Sequence, residues 1–417
     1  MQKLIIKGGN RLSGEIRIQG AKNAALPIMA AAVLCGEKVV LHNCPKISDV
    51  YSAMRILTYL GCKAGYDGNS VVIDSESLTC STVSEELMRE MRSSIFFLGA
   101  VLGRTGKCRL SLPGGCDLGP RPVDIHISAL RKMGVRIREE YGGLDCSVEK
   151  HLTGAKITLS FPSVGATENI ILAAVLADGT TVISNAAREP EIIDLAEFLC
   201  KCGAKIHGAG GSRITINGVK NLHGCEYTIM PDRIACATYL ACAASTGGEL
   251  VVTDCRPTDM ESILPVFEQM GCIVHTLENR IFFSAKHPLR AVAPIRTMVY
   301  PGFPTDAQAF IMAALCKAKG TSVFVENIFE NRYKHVVGLT RMGADILVEG
   351  KAAIIEGVNR LYGVKTEAPD LRGGAGLVTA ALAAEGVSEI SAVNHIDRGY
   401  EEIEKVLTSV GADIKRI

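Results

Sequence analysis

The chain has 417 residues, 47% of them apolar and 21% charged, with a formal net charge of +1. That length allows two or three domains with a real core, and the balanced charge excludes a global field that would draw nucleic acid or an anionic membrane. Fifteen cysteines, an odd number with no C-x-x-C pair, support neither a disulfide framework nor a zinc site and suit a reducing cytoplasm.

The opening "MQKLIIKGGNRLSG" has only a three-residue apolar run and no small-residue cleavage site, so no signal peptide is expected. "AALPIMAAAVLCG" is too short to span a bilayer and holds a proline. From there one phrase recurs six times: an apolar helix, a glycine, then a β-branched strand. The copies open at Asn23, Arg92, Gly165, Arg233, Asp306 and Arg372, the first reading "NAALPIMAAAVLCGEKVVLHN". Each is followed by a second helix ending in glycine, at Gly61, Gly134, Gly203, Gly271, Gly343 and Gly411, a period of about 70 residues. A glycine in that place closes a helix. The first helix of each copy is apolar nearly all round, which predicts burial on every side, whereas the second, as in "PEIIDLAEFLCKCG", is amphipathic. The expected fold is α/β, an inverted barrel with helices inside and sheets outside. Six units exceed one core, so three plus three is the economical division; a long solenoid is the other arrangement that repeats alone allow.

Charges fall at the joints of this pattern. Before the buried helices stand Lys22-Asn23, Arg92-Ser93, Ser163-Val164-Gly165, Asp232-Arg233, Thr305-Asp306 and Asp370-Leu371-Arg372. After the following strands come Lys46 and Asp49, Cys116 and Arg121, Arg188 and Glu189, Arg256, Glu330 and Arg332, and Asp397-Arg398. Singly, each reads as a solvated loop charge or an acid in a first helical turn. Repeated in copy after copy beside helix N-termini, they describe a site for a strongly anionic ligand held between two domains.

Cys116 lies in "SLPGGCDLGPRPVD", among Gly114, Gly115, Asp117 and Gly119, with nothing to pack against. Arg121 favours its thiolate while an anionic ligand opposes it, so the thiol suits either proton delivery near neutral pH or nucleophilic attack. His126 is the one histidine nearby in sequence, which supports a Cys–His pair only weakly.

The same segments carry a resemblance. "GAKNAALP" (20–27), "MRSSI" (91–95), "LPGGCDLGPRPVDIHISAL" (112–130), "SVGAT" (163–167), "NAAREPEI" (185–192), "PDRI" (231–234), "FPTD" (303–306), "DLR" (370–372) and "HIDRGYE" (395–401) stand in the order found in enolpyruvyl transferases. The chain resembles that family over its whole length, and the cysteine loop with "GAKNAALP" points to the branch that acts on UDP-N-acetylglucosamine. The resemblance implies transfer of the enolpyruvyl group of phosphoenolpyruvate to the sugar 3-hydroxyl with release of phosphate, the first committed step of peptidoglycan synthesis. It implies no cofactor, no metal, and no nucleic-acid or membrane partner.

By the same resemblance, Cys116 protonates the methylene carbon of phosphoenolpyruvate and forms a phospholactoyl adduct with it, and Asp306 takes the proton of the sugar hydroxyl. Lys22, Asn23, Arg121 and Arg398 would bind phosphoenolpyruvate, Lys22 and Arg398 taking part in catalysis. The UDP-sugar would meet Asn23, Arg92, Arg121, Pro122, Val123, Asp124, Ile125, Asp306 and Ile328, with backbone N–H groups of Ser163, Val164 and Gly165 at the diphosphate. Arg332, Asp370 and Arg372 would support the site. One departure is Phe161, where some members of the family carry a lysine. Residues 22–229 are expected to form one three-repeat domain, and 1–21 with 230–417 the other, the first residues lending a strand to the C-terminal half. Two linking strands would let the domains close on ligand, with the Cys116 loop as a lid. A shikimate-branch enzyme and a catalytically silent nucleotide-sugar binder are the rival readings; intact Cys116, Lys22, Asp306 and Arg398 argue against the silent one.

Overall fold

The structure is a computed structural model and describes residues 2–111, 123–140 and 142–417. Six core helices appear where the repeats place them: Lys22–Cys35, Phe96–Thr105, Val164–Ala174, Arg233–Thr246, Gln308–Leu315 and Leu371–Ala383. Runs of Ala, Leu, Ile and Met with few charges leave these helices no polar face to turn to water. In Lys22–Cys35 every residue except Asn23 is buried, and in Gln308–Leu315 all are.

Each copy also carries a four-stranded sheet, six among the described residues. The first copy joins Lys38–His42, Ser70–Asp74 and Lys63–Asp67 by antiparallel pairing, and Glu226–Thr228 adds in parallel to Lys38–His42. Buried and exposed residues alternate along most of these strands, so one face of each sheet meets the core. The six glycines after the second helices all take positive φ, between 88° and 101°. A second left-handed position follows the first strand of four copies, at Asn43, Asn185, Asp254 and Ala392. In the fifth copy that place belongs to Glu326, which does not adopt it.

The chain divides into two compact units, residues 2–19 with Pro231–Ile417, and residues 20–111 with 123–230. Each has its own hydrophobic core. In one, the helix Phe96–Thr105 packs on both Lys22–Cys35 and Val164–Ala174; in the other, Gln308–Leu315 packs on both Arg233–Thr246 and Leu371–Ala383. Three copies thus close on one another in each unit, and the solenoid alternative is set aside. The N-terminal residues supply two strands rather than one. Ser13–Arg17 adds in parallel to Glu249–Thr253, and Leu4–Lys7 lies between Val387–Ser391 and Asp413–Arg416, antiparallel to both.

Close helix approach depends on Gly99. A Cβ there would lie 2.4 Å from the Asn169 carbonyl oxygen, and the Gly99 N–H already donates to Asn169 Oδ1 at 2.7 Å. Gly99→Ala is therefore expected to cost about 1–3 kcal/mol through overpacking. Gly65→Ala, where an added Cβ meets nothing within 4 Å, should stay within about 0.5 kcal/mol of the parent. Thermal midpoints of the two variants measured side by side check this.

Candidate active site

The residue-level geometry begins at the first copy. Lys22 opens its helix after Ala21, which offers no side-chain cap, and its Nζ lies 2.7 Å from Asp49 Oδ2 with both side chains buried. Asp49 stands in the first turn of the helix Ser48–Tyr59, so the two joints of this copy meet. Removing one partner of a pair buried like this costs about 3–5 kcal/mol. Asn23 sits beside it, half-buried.

A second group in the same unit gathers three stretches far apart in sequence. Arg92 opens the 3-10 turn Arg92–Ile95, Asp124 and Ile125 open the helix Asp124–Lys132 after buried Val123, and Ser163 caps Val164–Ala174. All converge on His126. A Cβ on Gly165 would be in ordinary contact with the His126 ring. Burial first, then Arg92, against the pull of Asp124, pushes the His126 imidazole down to about 4, so it is neutral at pH 7. Asn169 holds the ring: its Nδ2 donates to His126 Nδ1 at 2.9 Å and to the Ile95 carbonyl at 2.9 Å, while its Oδ1 takes the Gly99 N–H. Cys116, Arg121 and Pro122 lie outside the described residues.

The helix Val164–Ala174 begins with a side-chain cap. Ser163 Oγ accepts the Ala166 N–H at 3.3 Å, and the Ser163 N–H is already donated to the Phe161 carbonyl at 2.7 Å. Val164 and Gly165 are left as the N–H groups that suit a phosphate. Phe161 itself is exposed. One turn inside, both oxygens of Glu168 are buried and find no hydrogen-bond partner among the described residues. Burial first, then Glu191 and Glu189, raises this carboxyl well above its usual range. A neutral acid here leaves the positive end of the helix undischarged.

In the other unit, Asp306 is the centre. Arg332 Nη2 donates to Asp306 Oδ1 at 3.0 Å, and Arg372 Nε and Nη2 donate to Oδ2 at 3.3 and 3.2 Å. Both arginines are almost fully buried while the Asp306 side chain keeps 29% exposure. They therefore hold the carboxylate in place, and their charge is met by Asp306 in addition to whatever a ligand brings. Arg372 Nη1 also donates to the hydroxyl of buried Tyr400 at 3.2 Å, which lies 2.7 Å from Thr238 Oγ1. Asp370 is a helix cap: its Oδ1 accepts the Arg372 and Gly373 N–H groups, both at 3.0 Å. Arg398 ends the 3-10 turn Val393–Arg398 and is half-buried. Ile328 follows the strand Thr321–Val325, its N–H bound to Glu326 Oε1 at 2.8 Å.

Three residues that matter here escaped the sequence reading: Asn169, Glu168 and Glu326. The first two had a signal, being polar in an otherwise apolar helix. Glu168 also carries a pH signature. Its folded form keeps a proton that the unfolded chain releases above about 4.5, so its contribution to stability is full below that pH and is lost as pH rises. Glu168→Gln should gain thermal stability relative to the parent between pH 5 and pH 8. A constant difference in midpoint across that range would contradict the neutral acid.

The chain has known relatives over its full length. The family model described as EPSP synthase (3-phosphoshikimate 1-carboxyvinyltransferase) matches residues 6–407. The UDP-N-acetylglucosamine 1-carboxyvinyltransferase 2 of Caldanaerobacter subterraneus is 50% identical over 417 residues, all of both chains. The UDP-N-acetylglucosamine 1-carboxyvinyltransferase of Nitratidesulfovibrio vulgaris is 46% identical over 416 residues, covering 100% of this chain and 99% of its own. Among solved structures, the enolpyruvyl transferase NikO from Streptomyces tendae superposes with a TM-score of 0.90 at 26% identity, over 100% of this chain and 98% of its own. EPSP synthase from Acinetobacter baumannii shares the fold, with a TM-score of 0.77 at 18% identity over the whole of both chains. With relatives of this closeness matched from end to end, the chain belongs to the enolpyruvyl transferases, in the UDP-N-acetylglucosamine 1-carboxyvinyltransferase family.

Proposed function

We propose that this chain transfers the enolpyruvyl group of phosphoenolpyruvate to the 3-hydroxyl of UDP-N-acetylglucosamine, releasing phosphate. The observation that carries the reading is the half-open Asp306 carboxylate, held from behind by two buried arginines. Such a group accepts a proton from a bound hydroxyl without moving.

The thiol of Cys116 gives its proton to C3 of phosphoenolpyruvate, and C2 becomes oxocarbenium-like. The sugar oxygen then bonds to C2 as Asp306 takes the hydroxyl proton. Loss of phosphate from C2 and return of a proton from C3 to the Cys116 thiolate restore the double bond, now in an enolpyruvyl ether. In the side reaction the Cys116 sulfur bonds to C2 instead and gives the phospholactoyl adduct. Lys22, Arg121 and Arg398 bind the phosphate and carboxylate of phosphoenolpyruvate, with Asn23 beside them. The nucleotide sugar lies against Arg92 and residues 121–125, its diphosphate at the N–H groups of Val164 and Gly165. The reaction belongs in the cytoplasm, at the start of peptidoglycan synthesis and so of cell-wall growth and division. Cys116 is the expected point of alkylation by fosfomycin.

The direct test is phosphate release from phosphoenolpyruvate. Release is expected with UDP-N-acetylglucosamine and not with shikimate 3-phosphate; the reverse pattern would move the chain to the shikimate branch, and none with either would indicate a silent binder. Asp306→Asn should lower kcat about 10²–10⁴-fold, the usual worth of a positioned base. Cys116→Ser should abolish turnover while UDP-N-acetylglucosamine still binds by calorimetry; full activity in that variant would remove the thiol from the mechanism.

A further inference from the structure

We infer that Glu326 is a positioning residue for the acceptor side of the reaction, an inference that rests on the function proposed above. Its side chain is buried at 2% exposure, and its two oxygens serve three donors of its own chain. Oε2 accepts the Thr305 hydroxyl at 2.9 Å, and Oε1 accepts the Ile328 and Phe329 N–H groups at 2.8 and 3.0 Å. Thr305 immediately precedes Asp306, and its carbonyl accepts both Nε and Nη2 of Arg332 at 3.2 and 3.0 Å. One carboxyl group therefore ties the turn that carries the base to the turn that carries Ile328. These are the two acceptor contacts assigned to this unit.

The repeat supplies an independent argument. In four other copies the residue after the first strand turns the chain by taking a left-handed conformation, with φ between 51° and 56°. Glu326 stands at that position and does not. Its side chain captures the N–H groups two and three residues on instead, so the turn is shaped by a carboxyl group rather than by a left-handed residue. The fifth copy is also the one that carries Asp306. The departure from the repeat thus falls beside the base, as expected where one copy is specialised for chemistry.

Glu326 acts through its neighbours, so its variants should separate the two substrates. Thr305→Val removes one hydroxyl and little else; Glu326→Ala removes all three acceptor bonds; Glu326→Gln keeps the shape and can still accept and donate. For Thr305→Val and Glu326→Ala we expect a fall in kcat of about tenfold or more, the scale set by small misplacements of a reacting group. KM for UDP-N-acetylglucosamine should rise several-fold while KM for phosphoenolpyruvate stays within about twofold, because uniform and transition-state binding are lost on the acceptor side only. Glu326→Gln should recover most of both losses. Parent-like constants in Thr305→Val, or equal rises in both KM values for Glu326→Ala, would overturn the inference alone. A parent enzyme without turnover on UDP-N-acetylglucosamine would overturn the functional reading and this role with it.

Discussion

A helix that is apolar on every side has no place on a surface, and six of them organise this chain. Each must be enclosed by other apolar faces, and the four-stranded sheets provide those faces with one side of their alternating strands. Polar chemistry is thereby displaced to where the helices begin. There the first N–H groups need partners and draw negative charge. In one unit Asp306, Arg332, Arg372 and the cap Asp370 come from such joints in two successive copies. In the other, Arg92, Asp124 and the start of Val164–Ala174 converge on one imidazole.

The copies differ in how their helix ends are satisfied. Ser163, Asp232 and Asp370 each satisfy their helix end with their own side chain. The joints holding Lys22, Arg92 and Asp306 have no such cap. Charge is handled with the same economy. Lys22 is met by Asp49, and the two arginines by Asp306, while His126 and Glu168 are kept neutral by burial. Pairing of this kind limits the cost of holding charge in a low-dielectric setting.

Much of this was legible in the chain. The glycine spacing foretold helix ends that do take positive φ at all six places, and the apolar runs foretold buried helices. The charged joints were visible as a pattern because each copy repeats local information. What lay hidden was pairing. Arg372 reaches Asp306 across 66 positions, and Asn169 meets His126 across 43. Nothing local says that an arginine near a helix start will orient a carboxylate rather than face a ligand. Glu326 was equally silent, since its meaning lies in how it differs from Asn43, Asn185, Asp254 and Ala392, and that difference is conformational. The strand Leu4–Lys7 was half legible: a contribution to the C-terminal half was expected, but its place in the middle of a sheet was not.

That N-terminal placement has a consequence for how the molecule comes into being. Among the described residues one unit takes 20–111 and 123–230, whereas the other draws Leu4–Lys7 and Ser13–Arg17 from before that stretch and Pro231–Ile417 from after it. As the polypeptide leaves the ribosome, the earliest strands emerge with no sheet to join. They must wait, extended and unpaired, while the enclosed stretch completes its own core. Leu4–Lys7 is therefore among the last strands to be seated, since its neighbour Asp413–Arg416 is made only after the whole intervening unit.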